Sequence, residues 1–157
     1  QGVDSGDAFL ERLKALGPKA AHRVGVYDKS PAARWLQDAG LMDAAELYMI
    51  QSPRSDQYPG EIIEHELVDG RLDAVIVWGP IAGYFARQIK QPALAVVPLK
   101  SAAGVRFDFP IAMGVRQGEP KWKARVQEQI DRNREAIQAI LADYGVPLVA
   151  DEDATPR

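Results

Sequence analysis

Cysteine is absent from the sequence, and histidine occurs only as His22 and His65. Without cysteine the chain has no disulfide, no thiol nucleophile and no thiolate metal ligand, although many exported proteins also lack this residue. Neither histidine has a convergent set of partners nearby in the sequence, which a metal site or an acid–base pair requires. We therefore predict no metal and no cofactor.

Long runs of basic residues and long runs of apolar residues are also missing. The 19 basic and 22 acidic residues give a formal net charge of −3, and no long basic run is present to attract a phosphate backbone. The longest apolar stretch, residues 74–86, is interrupted by Gly79 and Pro80. It is too short to cross a membrane core of ~30 Å as a helix. We expect no nucleic-acid partner and no membrane span.

The motifs of common enzymes are missing too. The sequence contains no phosphate-binding loop, no dinucleotide-binding glycine pattern after a strand and no hydrolase nucleophile elbow. Glu61, Glu64 and His65 share roughly one helical face, but such a charged face is more often solvated than catalytic. The sequence therefore predicts a protein that is not an enzyme.

Short apolar segments alternate with helical patterns along the chain. This alternation is typical of an α/β domain with a mainly parallel sheet, and we assign one domain to residues 1–148 and a flexible acidic tail to residues 149–157. Strands are expected at residues 23–27, 47–50, 72–77, 93–99 and 109–115. Helices are expected over the first fifteen or so residues and at residues 31–39, 61–68 and 81–89, with a loop at residues 51–59.

The last helix has the strongest periodic pattern in the sequence. It begins after Gly118-Glu119-Pro120 and should run for about 25 residues, with apolar side chains on one stripe, before Gly145 and Pro147 end it. Its stripe consists of Trp122, Val126, Ile130, Ile137, Ile140, Leu141 and Tyr144. A single domain would cover such a stripe only in part, which indicates an interface for a second copy of the chain or for a larger partner.

Three segments carry a resemblance to a known family. They are residues 78–85 (WGPIAGYF), residues 109–116 (FPIAMGVR) and residues 143–148 (DYGVPL). With residues 23–26 and 70–77, these segments resemble the second lobe of type II periplasmic binding proteins, and in particular the MxaJ/XoxJ proteins. The resemblance covers about residues 20–150. It implies five strands in the order 2-1-3-n-4, with helices on both faces and residues 109–115 as the antiparallel strand n.

The resemblance also implies a function. MxaJ/XoxJ proteins accompany alcohol dehydrogenases that contain pyrroloquinoline quinone (PQQ), as periplasmic assembly or activation partners. The alternative is a lobe that binds a small organic solute for an ABC-type transporter. From the resemblance we expect the sequence to lack the segment that supplies most of lobe one in a complete binding protein. The chain is then a natural single-lobe relative, a fragment of a longer chain, or a lobe completed by a second copy in a homodimer.

Six residues are candidates for binding a ligand or a partner. Type II periplasmic binding proteins that bind amino acids carry an aspartate at the position of Trp78. A flat apolar surface therefore replaces a charge pair in this sequence. Ser30 follows the first strand and could receive a ligand, although a simple helix cap is the more common role of such a serine. The candidates are Ser30, Trp78, Gly79, Tyr84, Arg54 and Tyr58, the last two in the polar loop.

Overall fold

Three parallel strands form the sheet of this protein. The computed structural model describes residues 6–16, 23–49, 58–100 and 104–149. Strand β1 (Val24–Tyr27) lies between β2 (Ala45–Tyr48) and β3 (Ala74–Ile76), and Val24 is opposite Ala45 on one side and Ala74 on the other. The order β2-β1-β3 confirms the first three positions of the predicted sheet. Strand β2 begins two residues earlier than the sequence predicted.

One face of the sheet carries a core made with the first two helices. Val24 and Val26 of β1 are buried there against α1 (Gly6–Leu16) and α2 (Pro31–Asp38). The buried residues of α2 in this core are Ala32, Trp35 and Leu36, and Leu36 is fully inaccessible to solvent. Burying one leucine in this way stabilises a fold by about 1.5–3 kcal/mol.

The opposite face carries a second core. It is built on Ile62, Ile63 and Leu72, with partly buried residues of β3 and of α3 (Gly79–Gln88) packed around them. Residues Ile62–Leu67 form a π-helix where the sequence predicted an ordinary helix over residues 61–68. Helices therefore cover both faces of the sheet, as predicted for an α/β domain.

Two predicted strands are not formed. Residues 93–99 and 109–115 follow the chain as irregular segments, so the described residues contain three strands rather than five. Proline explains part of this difference, because Pro98 and Pro110 have no N–H to donate to a neighbouring strand. Val96 and Val97 remain 38% exposed, which is not the burial expected of the predicted buried strand.

The predicted single final helix is instead two helices. Helix α4 (Pro120–Arg132) ends at Asn133, and α5 (Arg134–Asp143) begins directly after it. The side-chain amide of Asn133 donates a 2.8 Å hydrogen bond to the carbonyl oxygen of Gln129, and its backbone has φ −106° and ψ 16°. Asparagine can bond locally to the backbone in this way, which competes with a continuous helix.

The end of α5 is attached to α3. Gly145 has φ 72°, which is the left-handed conformation that commonly ends a helix, and its backbone contacts that of Gly83. A side-chain carbon on Gly83 would overlap the carbonyl oxygen of Gly145. Arg87 of α3 also donates a 2.7 Å hydrogen bond to the carbonyl oxygen of Ala142. These contacts hold the end of α5 and the C-terminal segment that follows it, residues 144–149, against the middle and the end of α3.

Candidate functional site

Two helices begin next to each other at one edge of the sheet. Because β1 and β3 are parallel neighbours, the turns that follow Tyr27 and Ile76 lie at the same edge. Helix α2 begins after the first turn and α3 after the second. Helix starts at the carboxyl ends of parallel strands are common places for ligands, since their free N–H groups point outwards.

Ser30 caps the first of these helices. Its hydroxyl accepts a 3.2 Å hydrogen bond from the backbone N–H of Ala33, and Pro31 occupies the first helical position. The turn before it is tight, because Lys29 has φ 58°, in the left-handed region that a lysine rarely adopts. Ser30 therefore has the structural role that a serine at this position most often has.

Trp78 stands at the start of the second helix without capping it through its side chain. Its carbonyl oxygen accepts hydrogen bonds from the N–H groups of Ile81 and Ala82, at 2.9 and 3.0 Å. The side chain is 56% exposed, which leaves much of the indole ring free of the protein. Gly79 follows as the first residue of α3 and lies close to Pro147, which leaves little room for a side chain there.

A large cavity of about 1330 Å³ brings four of the six candidates together. Ser30, Tyr58, Trp78 and Gly79 all line it. The cavity extends from this edge of the sheet along β3 to residues 93–99, and most of its wall is apolar. Its size is large enough for an organic molecule with several rings, since ligand pockets commonly span about 300–1,000 Å³.

Tyr58 is held at the cavity by polar neighbours. Its hydroxyl donates a 2.5 Å hydrogen bond to Glu64 and lies 3.4 Å from Nε2 of His65. The hydrogen bond to the Glu64 carboxylate is the largest cause that raises the pKa of the Tyr58 phenol above 10.0. The ring also packs against Phe85, with 6.0 Å between the ring centroids. Tyr58 thus presents a neutral, oriented aromatic ring.

The other two candidates lie elsewhere. Tyr84 does not line the cavity but stacks on Tyr144, with 5.9 Å between ring centroids, where α3 meets the C-terminal segment. Arg54 lies outside the described residues. Trp78 and Tyr84 both belong to the segment of residues 78–85 that carries the family resemblance, but Trp78 lines the cavity and Tyr84 does not.

Sequence reasoning missed several residues of the cavity wall. Tyr27 lines the cavity and donates a 3.0 Å hydrogen bond to the carbonyl oxygen of Pro59, and its burial raises the pKa of its phenol. Arg12, Phe107 and Phe109 also line the cavity. The position of Tyr27 at the end of β1 could have identified it. The other three come from distant segments, for which the sequence contains no comparable signal.

The described residues contain no group of three or more metal-ligand side chains. The polar side chains on the cavity wall are Arg12, Ser30, Tyr58 and Asp73, together with the hydroxyl of Tyr27. Such a wall can enclose a flat apolar molecule and orient it with a few hydrogen bonds. In the described part of the chain, no helix is long and apolar enough to cross a membrane.

Comparison with known proteins shows a similarity to a curated protein. The chain is 28% identical over 134 residues to Protein MoxJ of Methylorubrum extorquens AM1, a match that covers 76% of this chain and 44% of the relative. The chain thus spans less than half the length of this relative. No protein-family model and no solved structure matches the chain. The relative confirms the resemblance predicted from residues 78–85, 109–116 and 143–148.

Proposed function

We propose that this MxaJ/XoxJ-like chain is a periplasmic accessory protein that assists the assembly or activation of a PQQ-dependent alcohol dehydrogenase and does not itself catalyse a reaction. The observation that carries the proposal is the likeness to MoxJ, which extends over three quarters of the chain. A single α/β lobe with large exposed apolar side chains suits a protein that acts by docking. The dehydrogenase partner, the periplasmic location and the absence of catalysis all rest on this likeness.

The surface supplies a second line of support. Ile111, Met113, Trp122 and Ile140 are between 50% and 77% exposed, although each is large and apolar. Met113 and Trp122 line one groove. Isolated apolar residues on a surface are ordinary, whereas apolar residues that share a groove mark a place where another protein can bind. Docking would remove these apolar side chains from water and would therefore be favourable.

Size-exclusion chromatography with light scattering tests the proposal directly. The purified chain is run alone, then with the purified PQQ-dependent alcohol dehydrogenase of the same organism, and then with serum albumin as a control. We expect the chain to elute with the dehydrogenase and apart from albumin. Separate elution from the dehydrogenase, in both its PQQ-loaded and PQQ-free forms, would contradict the accessory function. A homodimer that does not bind the dehydrogenase would favour an independent binding module.

A second candidate function is the binding of a small organic molecule, and the cavity favours it. Ser30, Tyr58 and Trp78 lie together around an apolar space, as a solute-binding lobe requires. A flat aromatic or quinone-like molecule would suit this wall, because aromatic rings bury a large area and stack on Trp78.

Isothermal titration calorimetry with menadione and with PQQ tests this candidate. Trp78→Ala should weaken binding by about tenfold or more, since an aromatic contact is lost at the centre of the site. Trp122→Phe is the matched control, because Trp122 lies outside the cavity. Absence of binding to the native chain, or equal binding to both variants, would remove the cavity as a solute site.

A further inference from the structure

Helix α4 lacks the cover that a helix of its length requires. It has 13 residues, and none of them is buried. Helices of about 12–15 residues are marginal in water when nothing packs against them. The principal neighbour of α4 among the helices and strands is α5, which also has no buried residue. One apolar face of this pair is therefore open to another molecule.

That face is concave. A groove of about 310 Å³ lies between α4, the start of α5 and the irregular segment that contains Met113. Its apolar wall consists of Met113, Trp122, Val126, Ile130 and Ile137. We call these five residues the α4 groove. Trp122 is 50% exposed and Met113 is 66% exposed, so a large side chain of another protein could pack between them.

Positive charge is concentrated at the start of α4, beside the α4 groove. Lys121 and Lys123 flank Trp122 in the sequence, and Arg125 lines the groove. None of these three cations forms an ion pair with a described residue. Residues 106–125 contain five basic and two acidic residues, whereas the whole chain has a net charge of −3. The basic rim is a local exception to the charge of the protein.

The acidic residues of α4 do not neutralise this rim. Glu128 pairs with Arg132 at 2.6 Å, and Asp131 pairs with Arg134 at 3.4 Å, both at the far end of the helix. A partner that approaches Trp122 therefore meets unpaired positive charge first. Opposite charges across an interface steer the encounter and select the partner.

We infer that the α4 groove is the docking surface for the protein partner, and that it receives an apolar side chain of a partner face whose rim carries aspartate and glutamate. This inference rests on the proposed function, in which the partner is the PQQ-dependent alcohol dehydrogenase. A protein suits the groove better than a lipid surface, because the groove is concave and can enclose a side chain of a partner. The partner is thus defined by apolar shape and by negative charge.

The binding experiment compares three variants with the native chain. Lys121→Glu/Lys123→Glu reverses the rim, Trp122→Ala empties the groove, and Lys14→Glu/Lys90→Glu makes the same charge change on other surfaces. Binding to the immobilised dehydrogenase should weaken by about tenfold or more in the first two variants, because a buried tryptophan and steering charges dominate such interfaces. The third variant should bind as the native chain does. Circular dichroism checks that all four proteins have the same helix content.

Cross-linking with a carbodiimide gives an independent readout, because the reagent joins an amine to a carboxylate in direct contact. We expect Lys121 or Lys123 to be joined to an aspartate or glutamate of the dehydrogenase, as identified by mass spectrometry. If the native chain binds but the rim and groove variants bind equally well, the docking surface is wrong and the accessory function stands. If the native chain does not bind at all, both are wrong. Binding to anionic phosphatidylglycerol vesicles, or self-association through the α4 groove, would also overturn the inference.

Discussion

At the scale of single residues, Ser30 shows why a hydroxyl at the edge of a cavity need not be a ligand contact. Its oxygen accepts the N–H of Ala33 and so satisfies one of the free donors at the start of α2. Ser30→Ala should lower the free energy of unfolding by about 1 kcal/mol, whereas Ser30→Thr should stay close to the native value. Urea unfolding followed by circular dichroism measures both. Equal losses in the two variants would contradict the capping role.

Gly83 is a second residue whose effect can be predicted. A side chain there would overlap the backbone of Gly145, which cannot move as a flexible side chain could. Gly83→Ala should therefore destabilise the fold by about 1–3 kcal/mol, in spite of the better helix propensity of alanine. Gly114→Ala is the matched control, because nothing lies within 4 Å of the added carbon. Similar unfolding midpoints for the two variants would show that α3 and the C-terminal segment separate readily.

At the scale of the elements, an ion pair joins the π-helix to the turn that leads to β3. Arg71 donates hydrogen bonds of 2.7 and 3.1 Å to the two carboxylate oxygens of Glu66. These hydrogen bonds lower the pKa of the Glu66 carboxyl below 4.5, against the opposing effect of burial. Two donors from one guanidinium fix the direction of the turn between the π-helix and β3.

The lowered pKa of the Glu66 carboxyl determines how the free energy of unfolding changes with pH. A carboxyl whose pKa is lower in the folded state contributes stability that is present above its unfolded pKa and is lost as the pH falls through the folded value. The difference in free energy of unfolding between the native chain and Glu66→Gln should therefore be largest near neutral pH and should shrink below about pH 4.5. Urea unfolding at a series of pH values measures it. Glu135→Gln is the control, and a difference that stays constant with pH for Glu66→Gln would contradict the ion pair.

The elements also show what the sequence could and could not predict. Strand β1, the cap at Ser30 and, to within two residues, the start of α3 follow from local patterns, because a short apolar run and a capping residue act within a few positions. Residues 93–99 were not predictable in the same way. Their apolar content suits a strand as well as that of β1 does. Whether a strand forms there depends on a neighbouring strand with which it can pair. Asn133 likewise breaks the last helix through a local hydrogen bond that the apolar stripe does not reveal.

At the scale of the whole molecule, stability is concentrated in the first two thirds of the described chain. Both buried cores lie between Leu13 and Val105, and α4 and α5 supply no buried residue. Regions with few buried contacts open at low cost in free energy. Brief digestion with trypsin should therefore cut first between Arg116 and Arg134, where basic residues are frequent. Mass spectrometry identifies the first fragments, and an initial cut within residues 62–89 would contradict this distribution.

Only part of the candidate site could be predicted from the sequence, because the whole fold assembles its wall. Its wall combines α1, the edge of the sheet, the start of α3 and residues 93–99, which are far apart in the chain. Ser30 and Trp78 could be identified because strand-to-helix junctions are visible locally. Phe107 and Arg12 could not, since only the folded chain brings them to the cavity.

The position of β3 has a practical consequence for handling the protein. One side of β3 pairs with β1, and among the described residues its other side pairs with no strand. An open strand edge with Ala74, Val75 and Ile76 is a template on which an extended chain of another molecule can add. Concentrated samples should accordingly aggregate on storage through this strand edge. Thioflavin T fluorescence would measure the growth of the β-sheet aggregates.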